Sequence, residues 1–265
     1  MKTQFISNSK GQRIAVVVEK PKLNDSDPIG LAIIMHGLGG FKEQPHIAAF
    51  AKAFLDEGYV AVRFDTINSL GESAGKYEDA TVTNYYADLE TVIKWARDQP
   101  WFIEPFCLAG HSLGGLCAAL YAEKHPEEVK ALAPISTLVS GKLSLEAHDK
   151  EELEDWKKTG WQIRPSTSKP GVIKKLKWSH MEDRLKYDLL PMADKLTMPV
   201  LLIVSEHDNL TPLKHQKIFF DALHGKKELH TIRGAAHTFR DKKEIEEIKI
   251  ILSRWITKLD EQKIA

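Results

Sequence analysis

The fold is decided by residues 107–115, which read CLAGHSLGG. They contain the pattern G-x-S-x-G with Ser112 at its centre. An apolar run, 106–109, precedes the pattern and a helix-forming run, 116–121, follows it, so the sequence predicts a strand, a tight turn and a helix. A serine on so sharp a turn leaves room only for glycine two positions away on either side. We therefore predict that Ser112 is a nucleophile at the end of a strand, with a plain glycine-rich loop as the alternative.

The composition favours one soluble α/β domain. The chain has 265 residues, of which 43% are hydrophobic, enough for a full core and an insertion. Basic and acidic residues both number 37, so nothing in the charge points to nucleic acid as a partner. No signal-peptide pattern or 18-residue apolar run is present, so we expect a cytoplasmic protein without a membrane partner. Cys107 and Cys117 are predicted to be buried thiols, and the Cys/His spacing of a metal site is missing.

Strand patterns and helix patterns alternate along the chain. Residues 4–7 and 13–18 flank a Ser-Lys-Gly turn and predict an antiparallel hairpin. Later apolar runs predict buried parallel strands, and residues at helical spacing predict helices between them. The predicted strands cover 31–35, 59–64, 106–109, 129–135, 199–204 and 227–232; the predicted helices cover 45–57, 84–98, 116–121, 213–223 and a closing helix capped by Asp241 and Glu244. This pattern predicts an α/β fold with a mostly parallel central sheet, an antiparallel N-terminal hairpin and helices on both faces.

The alternation is interrupted between about residues 136 and 190, where charged runs alternate with bulky apolar residues. Such a stretch between two core strands predicts a small helical cap, or lid, over the site. The predicted organisation is therefore a core of residues 1–135 and 191–265 with a cap of residues 136–190. The aromatic side chains of the cap either pack it onto the core or line a pocket for an apolar or aromatic substrate group. Trp161 and His180 are candidate substrate contacts.

Three polar residues each follow a predicted strand directly, in the order Ser112, Asp208, His237. The ends of parallel strands meet at one edge of a sheet, so these loops are expected to converge. A serine hydroxyl is a weak nucleophile and needs a base. A histidine, whose ordinary pKa is near neutral, can take the proton and pass it to the leaving group. An aspartate orients the imidazole and stabilises its charged form.

Residues of the same types leave alternatives open. Asp65 and Asp183 are alternatives to Asp208, although Asp65 is expected to brace its own loop. Three further histidines are expected to have roles other than the base: His36, His111 and His207. The first two lie inside the motifs and are predicted to orient loops, and the third neighbours Asp208 with its side chain pointing elsewhere.

The loop HGLGG, residues 36–40, follows a buried strand and predicts an oxyanion site. The backbone N–H groups of Leu38 and Leu113 are the expected donors. Gly37 and His111 are expected to contact the substrate beside them. Chemistry of this kind needs no metal or cofactor, and none is expected.

Taken together, four motifs resemble those of the α/β-hydrolase superfamily: HGLGG (36–40), GHSLGG (110–115), EHDNLTP (206–212) and GAAHTF (234–239). Within it, residues 36–47 and 75–79 are similar to bacterial cinnamoyl (feruloyl) esterases, which carry a small cap between the same two strands. The resemblance implies that Ser112, Asp208 and His237 are the catalytic triad, and that Leu38 and Leu113 form the oxyanion hole.

The expected function is a serine carboxylic-ester hydrolase that forms an acyl-enzyme. Its expected partner is a small-molecule ester with an aromatic, feruloyl-type acyl group or a short-to-medium acyl chain. The alternatives are a serine peptidase or amidase on short peptides, an acylglycerol lipase or thioesterase, and a non-catalytic binding protein on the same fold. A homodimer is left open.

Overall fold

The computed structural model describes residues 2–22 and 27–261, and these form ten strands. In chain order they are β1 (Gln4–Ser7), β2 (Arg13–Glu19), β3 (Gly30–Met35), β4 (Tyr59–Phe64), β5 (Phe106–His111), β6 (Val129–Ile135), β7 (Trp161–Pro165), β8 (Ile173–Lys177), β9 (Val200–His207) and β10 (Lys227–Ala236). Residues 1, 23–26 and 262–265 of the predicted core lie outside the described residues.

Eight of these strands form one sheet in the order β1-β2-β4-β3-β5-β6-β9-β10. β2 runs antiparallel to β1 and to β4, and every other neighbouring pair is parallel. The predicted α/β fold, with its antiparallel start, is confirmed. All residues of β3, β4 and β5 are buried, as expected for strands covered on both faces.

Eight α-helices are described: α1 (Pro45–Asp56), α2 (Val82–Arg97), α3 (Leu113–Lys124), α4 (Gly141–Ala147), α5 (Lys150–Thr159), α6 (Ser179–Arg184), α7 (Leu213–Ala222) and α8 (Lys242–Glu261). Short 3₁₀ turns cover Tyr77–Asp79, Pro126–Glu128 and Leu190–Lys195. None of the helices within residues 2–22 and 27–261 is long and apolar enough to cross a membrane.

Side-chain caps set two helix starts. The hydroxyl of Thr81 accepts the N–H of Asn84, so α2 begins two residues before the predicted start at 84. At α8 the predicted capping box is present, because the Asp241 carboxylate accepts the N–H of Lys243 and Glu244 accepts the N–H of Asp241.

Helices cover both faces of the sheet. On one face α1 and α8 pack through side chains such as Phe50 and Leu252. On the other face α2, α3 and α7 bury side chains such as Leu89, Leu116 and Phe219. This sandwich fixes the carboxyl ends of the parallel strands, where the predicted site residues lie.

The segment between β6 and β9 is mixed rather than purely helical. It contains α4, α5 and α6, but also the antiparallel hairpin β7–β8, so the predicted helical cap is incomplete. The sequence does not predict this hairpin, because it is short and lies among charged runs; none of the residues of β7 is buried, so no apolar run marks the strand. Trp156 packs the segment internally: its Nε1 donates to the Leu176 carbonyl at 3.1 Å and its ring contacts Trp178.

Candidate active site

Ser112 lies at the sharp turn between β5 and α3, with a left-handed backbone conformation (φ 54°, ψ −115°). That region is costly for a residue with a side chain, so the surrounding packing must hold it there. A Cβ atom on Gly110 would lie 2.3 Å from the Gly114 carbonyl oxygen, and one on Gly114 would lie 2.5 Å from the His36 carbonyl oxygen. The two glycines of the motif are therefore required by close backbone approach.

Loops from three strands bring a serine, a histidine and an aspartate together. The Ser112 hydroxyl lies 3.0 Å from Nε2 of His237, and Nδ1 of the same ring lies 2.8 Å from Oδ2 of Asp208. Asp208 is a pure acceptor when ionised, so Nδ1–H donates to it and Nε2 is left to accept the serine proton. This is the geometry that general-base activation of a serine requires.

The Asp208 carboxylate is held by four donors. Its Oδ1 accepts the backbone N–H groups of Leu210 (3.0 Å) and Thr211 (2.8 Å), and its Oδ2 is bonded to the Thr211 hydroxyl (2.8 Å) and to His237. Burial raises the pKa of this carboxyl, but the bonds to His237 and Thr211 outweigh burial and lower it to about 2. The group is therefore an anion across the neutral range, able to stabilise a charged imidazole.

Sequence reasoning missed Thr211, which is buried and also lies 3.3 Å from Nδ1 of His237. A usable signal was present, because an aspartate followed three residues later by threonine is typical of a side-chain-capped turn.

The alternative acids are occupied elsewhere. Asp65 accepts the backbone N–H and the ammonium group of Lys42 (2.7 and 2.9 Å) and the N–H of Glu72, so it braces its loop as expected. Asp183 accepts the backbone N–H and the hydroxyl of Thr83, at 2.9 and 2.6 Å.

The two motif histidines hold loops. His36 accepts the N–H of Thr66 at 3.1 Å and donates through Nδ1 to the Gly37 carbonyl at 2.7 Å. Burial lowers the pKa of His111 to about 3, so this ring is neutral, and its Nε2–H donates to the carbonyl oxygen of His237 at 2.9 Å. His111 thereby fixes the loop that carries the base.

A cavity of about 180 Å³ opens beside Ser112 and His237. Gly37, His111, Leu38 and Leu113 all line it. Within the described residues, the backbone N–H groups of Leu38 and Leu113 have no hydrogen-bond acceptor. They are therefore free to bind an oxyanion next to the serine.

The two cap residues named from sequence, Trp161 and His180, are not among the described residues that line this cavity. Trp161 is 37% exposed and packs against the ammonium group of Lys177. His180 is fully buried, and both ring nitrogens are occupied, since Nδ1–H donates to the Ala80 carbonyl and Nε2 accepts from Arg184. The expectation that Trp161 and His180 contact the substrate in this cavity is therefore wrong: Trp161 is exposed at the surface of the cap and His180 is buried inside it.

Other cap residues do line the cavity, and sequence reasoning missed them. They include three basic side chains, Arg164, Lys174 and Arg184. No local pattern marks them, since the β7–β8 hairpin and α6 bring them to the cavity through long-range packing.

The fold and this site define a serine hydrolase of the α/β-hydrolase type. Residues 10–170 match the family model described as X-Pro dipeptidyl-peptidase (S15 family), and the chain belongs to this family. Over 256 residues it is 26% identical to an Escherichia coli 31.7 kDa protein from the traX-finO intergenic region, covering 84% of this chain and 88% of that one. It is also 28% identical over 159 residues to the bovine mitochondrial palmitoyl-protein thioesterase ABHD10, covering 58% of this chain and 49% of that one.

Solved structures agree on the fold. Est1E from Butyrivibrio proteoclasticus with bound ferulic acid has a TM-score of 0.82 at 23% identity, covering 97% of this chain and 98% of the other. Mouse alpha/beta hydrolase domain-containing protein 10 has a TM-score of 0.78 at 22% identity, covering 98% and 100%.

Proposed function

We propose that this chain is a serine carboxylic-ester hydrolase that works through an acyl-enzyme at Ser112. The observation that carries the proposal is the unbroken Ser112–His237–Asp208 hydrogen-bond chain beside a cavity with two free backbone donors. All three reacting groups are present and within hydrogen-bond reach of one another, which argues against a non-catalytic binding protein on this fold.

The steps follow from the geometry. The Ser112 oxygen attacks the ester carbonyl carbon as His237 accepts the serine proton. The N–H groups of Leu38 and Leu113 bind the oxyanion that forms. His237 then protonates the departing alcohol oxygen, which leaves the acyl group on Ser112. Water attacks this acyl group with His237 again as base, and the carboxylic acid is released.

The size of the cavity favours a compact acyl group. Ligand pockets commonly span about 300–1,000 Å³, and this one measures about 180 Å³. An aromatic acyl group of the feruloyl or cinnamoyl type, or a short chain, suits it better than a palmitoyl chain. The ferulic acid bound by the structural neighbour Est1E supports the same choice.

A peptidase is the second candidate, and the family name favours it. A dipeptidyl-peptidase takes a substrate with a free N-terminal ammonium group, which needs an acidic partner. Among the described lining residues of the cavity there is neither Asp nor Glu, whereas Arg164, Lys174 and Arg184 are present. This charge would repel an ammonium group, so the ester remains the first choice.

A substrate panel tests the proposal. The wild type, Ser112→Ala and the control Ser253→Ala on α8 are assayed with p-nitrophenyl butyrate, methyl ferulate, a palmitoyl thioester and Ala-Pro-p-nitroanilide. We expect wild type and control to hydrolyse the two compact esters fastest, and Ser112→Ala to lose about 10³-fold or more. Turnover confined to the nitroanilide would favour the peptidase, and undiminished turnover by Ser112→Ala would exclude Ser112 as nucleophile.

A further inference from the structure

Arg184 is a buried cation without a counter-charge. Its side chain lines the cavity, yet the residue is only 9% exposed. Its Nη1 donates to the Ser144 hydroxyl and its Nη2 to Nε2 of His180, both at 2.7 Å. Its buried Nε has no hydrogen-bond partner. No carboxylate in residues 2–22 and 27–261 forms an ion pair with it.

Arg184 has a third partner, since its Nη1 also lies 3.5 Å from Nε2 of His148, and all three partners are neutral: Ser144 carries no charge, and burial lowers the pKa of His148 to about 4. His180 uses Nδ1–H for the Ala80 carbonyl, so its Nε2 offers only a lone pair. Burial and the nearby Arg184 hold the pKa of His180 well below its usual value, which keeps the ring uncharged. Burial also lowers the pKa of Arg184 to about 10, which still leaves it charged at neutral pH.

Burying an unpaired guanidinium costs free energy unless an anion pairs with it. Buried charges in folded proteins are normally paired, because an isolated ion loses its hydration without compensation. Arg184 retains an unpartnered Nε–H and a second Nη2–H, on one planar group of the kind that suits a carboxylate.

The side chains that line the cavity near Arg184 also carry positive charge. Lys174 lines the cavity, and its ammonium group lies 5.6 Å from the centre of the Tyr77 ring, with no ion pair among the described residues. Arg164 also lines the cavity but is paired with Glu152. Because no acidic side chain lies among the described lining residues, the free charge of the wall is positive.

We propose that the natural substrate carries a carboxylate in addition to the ester that is cleaved, and that Arg184, assisted by Lys174, binds this carboxylate. The inference rests on the proposed ester hydrolysis and names its substrate class. The cap then selects the substrate by charge while Ser112 and His237 perform the chemistry.

Matched pairs of esters test the inference. The first pair is mono-p-nitrophenyl adipate and its methyl-capped neutral form, with the charge on the acyl side. The second is 4-(butyryloxy)benzoate and its methyl ester, with the charge on the alcohol side. We expect wild type to prefer the anion in one pair by roughly 10- to 100-fold in kcat/KM, as a charge-assisted hydrogen bond would give.

Variants separate recognition from structure. Arg184→Met should abolish the preference, so that kcat/KM for the anionic ester falls to that of its neutral partner measured on the same variant, and Lys174→Met should reduce the preference in part. Ser144→Ala, which removes an uncharged partner of Arg184, should retain it. Equal rates within both pairs, or a preference that survives Arg184→Met and Lys174→Met, would overturn the inference. If Arg184→Met does not fold, the loss of anion preference is measured in Lys174→Met alone, because Lys174 is only half-buried.

A binding measurement keeps this inference separate from the proposed function. Titration of Ser112→Ala with mono-p-nitrophenyl adipate and with 4-(butyryloxy)benzoate should give heat of binding for at least one of the two anions, and this heat should be lost in the double variant with Arg184→Met. Binding without hydrolysis by wild type would refute the esterase while supporting the carboxylate site. Hydrolysis of neutral esters, with neither a preference for the anion nor binding of it, would support the esterase and refute the carboxylate site.

Discussion

At Ser112 a strained backbone places a hydroxyl 3.0 Å from the imidazole nitrogen that can take its proton. The strain is held by hydrogen bonds on both sides, since the Ser112 N–H donates to the Ile135 carbonyl and the Ser112 carbonyl accepts from Leu116 and Leu138. The position of the nucleophile is therefore a property of the sheet and helix around it.

Asp208→Asn should lower kcat for esters by about 10⁴-fold, the loss found when the same change is made in a serine protease triad. An amide in this position can donate to Nδ1, which would stabilise the wrong tautomer of His237. Steady-state kinetics with p-nitrophenyl butyrate measure the loss, and thermal unfolding checks that the variant is folded. A loss below 10-fold would remove Asp208 from its proposed role.

Thr211→Val should lower kcat by about 3- to 10-fold, because Asp208 loses one of its four donors, a bond worth about 1 kcal/mol. Thr211→Ser keeps the hydroxyl and should restore most of the rate. Both variants are compared at pH 7, where the carboxyl stays ionised. A serine variant as slow as the valine variant would assign the effect to packing.

At the scale of elements, the site depends on how closely the loop after β3 approaches the start of α3. Gly114 in the first turn of α3 lies against the carbonyl oxygens of Met35 and His36. The loop of residues 36–40 is also tied through Gly39, whose N–H donates to the Tyr85 hydroxyl on α2. Both oxyanion donors are thus set by contacts between elements.

Gly114→Ala should reduce kcat/KM by at least 10-fold and lower the melting temperature, because its Cβ would lie 2.5 Å from a backbone oxygen that cannot swing aside. Gly225→Ala is the matched control: its Cβ would come no closer than 3.2 Å to any atom, the Thr197 carbonyl oxygen being the nearest. We expect the control to keep its activity. Equal activity of the two variants would contradict the close approach.

The two halves of the site differ in how far the sequence predicts them. Ser112, Asp208 and His237 sit in short contiguous motifs at the carboxyl ends of predicted strands, so local pattern and strand order suffice to bring them together. The wall formed by Lys174 and Arg184 depends on a hairpin and a short helix packing back on the core, and contacts of that kind leave no local pattern.

At the scale of the whole molecule, buried ionisable groups couple stability to pH. Asp88 on α2 is buried, and its Oδ2 accepts the N–H of Ile67 at 2.6 Å. Burial raises the pKa of this carboxyl to about 7, against a smaller opposing effect of the Ile67 N–H. The folded state therefore holds this proton more tightly than the unfolded chain does.

Stability from this group is present in full below the unfolded pKa near 4 and is lost as the pH rises through about 7. Asp88→Asn keeps an acceptor for Ile67 and removes the ionisation. Between pH 5 and pH 8 the wild type should therefore lose roughly 2–4 kcal/mol of unfolding free energy relative to this variant. Urea unfolding at both pH values measures the difference, and parallel pH dependence of the two proteins would contradict it. Burial also raises the pKa of Glu123 to about 8, but this residue is present in both proteins, so its effect cancels in the difference between wild type and Asp88→Asn.

The central claim is that Ser112 is activated as a nucleophile by His237. It is tested most directly by reacting the protein with a fluorophosphonate and locating the adduct by peptide mass spectrometry. We predict one adduct per chain, on Ser112, lost in Ser112→Ala and formed far more slowly in His237→Ala. An unlabelled wild type, or an adduct on any other residue, would contradict the claim.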